Sequence, residues 1–219
     1  MIAVIVPIYN TEKYLRETID SVICQTLSFA EHIRLILLDD ASTDGSFAIC
    51  EQYQKQYPKQ IVVKHYDTNQ GVSALRNEGV RIAGEMGDEL ITFLDSDDKL
   101  ADDAVEKAVQ YFDAHEDVFV AAIGIRYFDA YEGEQRLNWR FEKTDVVDIK
   151  KDYTYPHYYV GGVFLRHAVL DELHFDESLS FWEDALAVNQ VIVSQGKYGL
   201  IAGTHYYYRK REDESSLVD

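Results

Sequence analysis

Glu89-Leu90-Ile91-Thr92-Phe93-Leu94-Asp95-Ser96-Asp97-Asp98 is a short apolar run that ends in an acidic cluster. The run has the length of one strand, and its apolar residues sit at successive positions, as in a strand covered on both faces. Carboxylates this close repel one another. A hard divalent cation relieves that repulsion, takes oxygen ligands, and fills its remaining positions with phosphate oxygens. The same residues also suit a helix N-cap with an acidic first turn.

Outward from this stretch, residues 2–8, 33–38 and 61–66 are further apolar, β-branched runs that read as buried strands. Helical patterns alternate with them. Asn10 or Thr11 is expected to cap a helix whose inner face carries Leu15, Ile19, Val22 and Ile23. Ser42 or Thr43 is expected to cap the next, with Phe47, Cys50 and Tyr57 inward. After the turn at 69–71, Val72, Leu75, Gly79, Ile82 and Met86 share one face, and further on Leu100, Ala104, Ala108 and Phe112 share another. This alternation predicts an α/β fold with a largely parallel sheet covered on both sides. Ligands of such sheets lie beyond the carboxyl ends of the strands. Asn10, Asp40 and Asp95 all follow such ends and so converge on one cleft.

The second half is less regular. Residues 118–127, 160–165 and 198–201 read as strands, and 183–194 as a helix stopped by Gly196. The charged stretch 209–219 stops without a closing element, which points to a piece of a longer protein. The 219 residues carry a net charge of −18, so nucleic acid and acidic membrane surfaces are disfavoured partners and cations are favoured. Cys24 and Cys50 sit in helical patterns and are expected to be buried thiols of a reducing compartment. The apolar N-terminus is too short for a signal peptide, and no run approaches the ~20 residues of a membrane span. The expected location is cytoplasmic, with room for peripheral attachment to the inner face of the membrane.

Several side chains carry candidate chemistry. Asp40 can accept the imide N–H of uracil, and Arg76 can contact a diphosphate or pair with a carboxylate such as Asp95. In Trp182-Glu183-Asp184 a carboxylate can act as general base toward an acceptor hydroxyl, or simply favour the first turn of a helix. In the segment 205–211, His205 can complete a metal's coordination and the basic side chains can neutralise a leaving diphosphate; a strand edge with a solvated tail is the plainer alternative.

Together these pieces resemble the inverting family 2 of glycosyltransferases. The matching text is Val6-Pro7-Ile8-Tyr9-Asn10, Leu38-Asp39-Asp40-Ala41-Ser42-Thr43-Asp44-Gly45-Ser46, the run 69–79, Phe93-Leu94-Asp95-Ser96-Asp97-Asp98, Phe175-Asp176-Glu177, Glu183-Asp184 and Tyr208-Arg209. The resemblance implies a single GT-A, Rossmann-like α/β domain. Its mostly parallel central sheet would be flanked by helices, with residues 1–115 as the nucleotide-sugar half and 116–219 as a smaller acceptor half and tail. It implies Asp184 as catalytic base and Mn²⁺ or Mg²⁺ held through Asp97 or Asp98, to which the residue reading adds His205 as a candidate ligand. Donor contacts would come from Pro7, Tyr9, Asn10, Asp40, Arg76, Asp95, Ser96, Arg209, Arg211 and Ser215. The implied donor is a nucleotide-sugar, most simply a UDP-sugar. The implied acceptor is a glycan, lipid-linked or polyol-phosphate hydroxyl in the synthesis of a surface polymer such as a teichoic acid. The processive members carry a Gln-x-x-Arg-Trp motif and membrane helices, and both are missing here. Two other classes compete. A nucleotidyltransferase would carry a Gly-rich basic loop, and residues 6–13 contain no glycine. A non-catalytic nucleotide-binding module of a larger synthase would not need the acidic cluster and Asp184 together.

Overall fold

The computed structural model describes residues 1–152, 157 and 159–211. In chain order the first half runs β1 (Ile2–Ile8), α1 (Leu15–Ile23), α2 (Phe29–His32), β2 (Ile33–Asp39), α3 (Ser46–Gln56) and β3 (Ile61–His65). It continues through α4 (Val72–Glu85), β4 (Leu90–Phe93), β5 (Lys99–Leu100) and α5 (Ala104–Ala114). The second half holds β6 (Val120–Asp129), β7 (Gly133–Glu134), β8 (Asp145–Asp148), β9 (Val163–Arg166), α6 (Glu183–Gln195) and β10 (Lys197–Lys210), with two 3-10 turns between them.

The described strands form one sheet in the order β3-β2-β1-β4-β9-β6-β10-β5, with β7 beside β6 and β8 beside β10. From β3 to β4 all pairs are parallel. β9 runs antiparallel to both β4 and β6, and β10 returns parallel to β6. Every residue of β1 and β2 is buried because helices cover both faces. The two faces separate with period 2. Ile2, Val4, Val6 and Ile8 pack into a layer with α1, α3 and α5, while Ala3 and Ile5 pack into a second layer with α4 and α6.

Gly79 lets α4 lie close on β1. A Cβ there would stand 2.3 Å from Ile5 Cγ2 in a fully buried layer. Gly79→Ala is therefore expected to lower stability by about 1–3 kcal/mol through overpacking, measured by urea unfolding. An unchanged midpoint would mean that α4 is not pinned to β1 at this point.

Several local expectations are corrected. Asn10 and Thr11 do not cap α1, and Ser42 and Thr43 do not cap α3; Asn10, Ser42 and Thr43 are spent on each other, and Thr11 N–H donates to Ser46 Oγ at 3.0 Å. Asn10 N–H donates to Ser42 Oγ at 3.0 Å, and Asn10 Oδ1 accepts from Thr43 N–H at 2.8 Å. Asp44 Oδ1 instead accepts from Ser46 N–H at the start of α3. On α4, Val72 and Met86 are exposed, and the inward positions are Leu75, Arg76, Gly79, Val80 and Ala83. On α3 the buried apolar positions are Ile49, Cys50 and Tyr53, whereas Phe47 stacks on His65. Leu100 belongs to β5, not to α5. Cys24 is exposed at the end of α1, while Cys50 is buried as expected. The last strand is far longer than 198–201. A register shift between Ile201 and His205, with Gly203 at φ +76, lets β10 continue to Lys210. That extension carries the basic segment back to the acidic cluster.

Candidate active site

Strands β1, β2 and β4 end on one side of the sheet, where Pro7, Tyr9, Asp40, Val72, Leu75, Asp95, Ser96 and Asp97 line a cleft of about 200 Å³. Six of these were expected as donor or metal residues. Val72 and Leu75 were expected only as helix core, yet they form the apolar wall. A larger groove of about 520 Å³ beside β8 holds no residue of the acidic cluster, and its Asp145 and Asp148 are each paired with a lysine.

Asp40 is buried at the end of β2 and fastens the loop ahead of α4. Its Oδ1 accepts from Gln70 N–H at 2.6 Å and its Oδ2 from Gly71 N–H at 2.9 Å. Ala41 follows it at φ 58, a conformation that costs an L-residue about 1–2 kcal/mol.

Arg76 is only 5% exposed and spans two parts of the chain. Its Nη2 donates to Asp95 Oδ1 at 3.2 Å, and its Nη1 donates to Glu183 Oε1 at 3.0 Å. One guanidinium thus ties the acidic cluster to the start of α6. Burial opposes its charge, but Asp95, Asp184 and Glu183 outweigh burial and hold it protonated. Asp184 follows Glu183. Its Oδ1 accepts from Ala185 N–H at 2.7 Å and its Oδ2 from Val160 N–H at 3.3 Å. Burial raises its pKa above the ordinary 3.8, with Arg76 pulling the other way.

The cluster itself divides into two parts. Asp98 is 2% exposed and both of its oxygens are occupied. Its Oδ1 accepts from Arg209 N–H at 2.7 Å and its Oδ2 from the Tyr206 hydroxyl at 2.7 Å. Burial, with the charges of Asp97 and Asp95, pushes its pKa well up. Asp98 therefore locks β10 to the cluster and does not face the cleft, which corrects its placement among the metal ligands. Tyr206 is shared, since its oxygen also accepts from Asp95 N–H at 3.1 Å. The Thr18 hydroxyl lies 3.0 Å from Ser96 O and 2.8 Å from Asp98 O, bracing the same turn from α1. Asp97 lines the cleft, and its Oδ2 is paired with Arg211. Burial and then Asp95 raise its pKa, against the pull of Arg211.

Arg209 was expected at the donor but is spent inside the fold. Its Nε donates to Asp97 O at 2.6 Å, its Nη1 to Asp129 Oδ2 at 2.8 Å and its Nη2 to Glu17, and it lies over the rings of Tyr14 and Phe128. His205 is also corrected. It lies beside Tyr207, four residues before the point where Arg209 meets the cluster. The charges that act on it are Arg126, Glu134, Asp103 and Lys107. Asn10 sits beyond β1 but is exposed and bonded to Thr43. Ser215 lies outside the described residues. Tyr206 and Thr18 escaped the sequence reading of the site, and Glu183 was quoted there without a role of its own. Tyr206 was hidden in a run of three tyrosines, and Glu183 was eclipsed by its neighbour.

The donor set suits a divalent cation. Asp95, Asp97, Glu183 and Asp184 face Arg76 and Arg211, which leaves an excess of two negative charges on hard oxygens. Among the described residues no three His, Cys, Asp or Glu side chains already surround a common point. Mg²⁺-type sites need only one or two carboxylates, with phosphate and water supplying the rest.

Comparison with known proteins fits this geometry. The chain matches the family model described as "Glycosyl transferase family 2" over residues 3–174. It is 43% identical over 221 residues to the minor teichoic acid biosynthesis protein GgaA of Bacillus subtilis (strain 168), covering 100% of this chain and 49% of that protein. It is 39% identical to GgaB of the same organism, over 99% of this chain and 24% of that protein. The chain thus spans about half or less of the length of these curated relatives. Its structure superposes on S. aureus TarS 1-349, solved in complex with UDP-GlcNAc, with a TM-score of 0.84 at 27% identity, covering 97% of this chain and 59% of that one. The chain belongs to glycosyltransferase family 2 and has the GT-A fold of that family. No helix among the described residues is long and apolar enough to cross a membrane.

Proposed function

We propose that this chain transfers a sugar from a UDP-sugar, with inversion, to a hydroxyl of a polyol-phosphate or glycan acceptor in teichoic-acid-type polymer synthesis. The observation that carries this reading is the Arg76 bridge, which ties Glu183, the neighbour of the candidate base Asp184, to Asp95 of the strand-end cleft. The names of GgaA and GgaB support the polymer class, and the UDP-GlcNAc complex of TarS supports the donor class. Residues 1–115 supply the donor half and 116–219 the acceptor half.

The uridine lies against Pro7, Tyr9 and the Val72–Leu75 wall. Asp40 keeps the loop 69–71 in place and offers its remaining lone pairs to the base. Asp95 and Asp97 would hold Mn²⁺ or Mg²⁺, and the ion would supply positive charge for a departing diphosphate. Arg211, already at Asp97, and Arg76 add positive charge beside it. Asp184 takes the proton of the acceptor hydroxyl as that oxygen attacks the anomeric carbon from the face opposite UDP.

The test is a thermal-shift series with UDP, UDP-GlcNAc and other UDP-sugars, with and without Mn²⁺. A ligand at about 100 times its Kd stabilises by about 2.7 kcal/mol. For a chain of this size that raises the melting point by about 5–10 °C. The shift should require Mn²⁺. No shift with any UDP-sugar and metal would overturn the reading.

A further inference from the structure

Trp182 is the residue immediately before Glu183, and its backbone is left-handed, with φ 64 and ψ 11. A bulky side chain rarely adopts this conformation, and it persists only where the surroundings impose it. The same side chain is 61% exposed. Phe181, at 57%, stands beside it in sequence, and Leu179 before it and Leu186 in the first turn of α6 are also exposed. A strained backbone and exposed aromatic area thus fall together, two residues from the candidate base.

We infer that Trp182, with Phe181, is the acceptor platform: a sugar or polyol unit of the acceptor stacks on it, with a hydroxyl presented to Asp184. This rests on the transferase reading above. The chemistry of the surroundings selects the unit. The C–H faces of sugars and polyols suit an aromatic face, while their hydroxyls remain free at the edge. Glu183 bonds to Arg76 and Glu177 to the neighbouring Asn77, so with Asp176 and Asp184 four carboxylates gather here against one guanidinium and phosphate is repelled from this spot. The platform therefore takes a neutral unit of the chain, and the acceptor's phosphates lie further out.

The test uses teichoic acid isolated from B. subtilis walls as the acceptor, with radiolabelled UDP-sugar as the donor, on wild type, Trp182→Ala and Trp182→Phe. Trp182→Ala should raise KM for the polymer about 5- to 10-fold. Its donor KM, its melting point and its UDP-sugar thermal shift should stay as in wild type. Trp182→Phe should restore most of the polymer affinity, because the aromatic face is kept. An unchanged polymer KM in Trp182→Ala, or donor and polymer KM rising together, would overturn the platform. A wild type that shifts with UDP-sugar yet transfers nothing to the polymer overturns the acceptor assignment, and the platform with it. A wild type that shows no shift overturns the transferase reading itself.

Discussion

Asp184→Asn is expected to reduce transfer by about 10²- to 10⁴-fold, the usual contribution of a placed general base. Donor binding should persist, because Asp184 does not line the donor cleft. The fold should persist as well. The amide oxygen of the substituted side chain would still accept from Ala185 N–H, and only the longer 3.3 Å bond from Val160 is lost. The charge argues in the same direction. Burial raises the pKa of Asp184 above 3.8, so the ionised carboxylate costs stability at neutral pH, and that cost fades as pH falls through the raised value. A neutral amide removes it, so the variant should melt at or above the wild-type temperature. The same shift sets the acid limb of the rate. Activity needs the ionised base and should fall as pH drops through a value above the ordinary carboxylate 3.8. Turnover like that of the wild type in Asp184→Asn would remove Asp184 from the mechanism.

The second large effect is expected at Arg76. Arg76→Met keeps much of the side-chain volume but leaves Asp95, Glu183 and Asp184 without their shared cation in a buried setting. Removing one partner of a buried ion pair costs about 3–5 kcal/mol. That loss should appear in urea unfolding at neutral pH and shrink as pH falls into the carboxylate range. Transfer should also fall, because Arg76 no longer ties Asp95 to Glu183 and the turn that carries Asp184. Addition of Mn²⁺ should restore part of the lost stability by supplying positive charge at Asp95 and Asp97. A variant as stable as wild type would mean that the bridge does not hold the two halves of the site together.

The sequence made some of this legible and concealed the rest for physical reasons. β1, β2 and β4 could be read because strands buried on both faces are continuous apolar runs, and Asp40 and Asp95 stood out as the charges that end them. The end of α6 was readable from Gly196, which takes the left-handed C-cap at φ 74. What a single chain cannot show is how polar groups consume one another across long separations. Asp98 looks like a ligand beside Asp97 until Tyr206 and Arg209, 108 and 111 positions away, occupy both of its oxygens. Arg209 looks like a phosphate contact until Glu17, 192 positions away, takes part of its guanidinium. Asn10 and Ser42 carry helix-capping chemistry, yet they bond across the gap between two loops. His205 looked suitable by type alone, yet the charges around it are Arg126, Glu134, Asp103 and Lys107 rather than the cluster. The register shift at Gly203, which lets β10 run on to Lys210, leaves only a lone glycine in the sequence.

The most direct test of the account is the anomeric configuration of the product. Transfer from an α-linked UDP-sugar to teichoic acid, followed by ¹H NMR of the new linkage, should give the β-anomer, since Asp184 activates a hydroxyl that attacks opposite the departing UDP. An α-linked product would contradict a single displacement and with it the role assigned to Asp184.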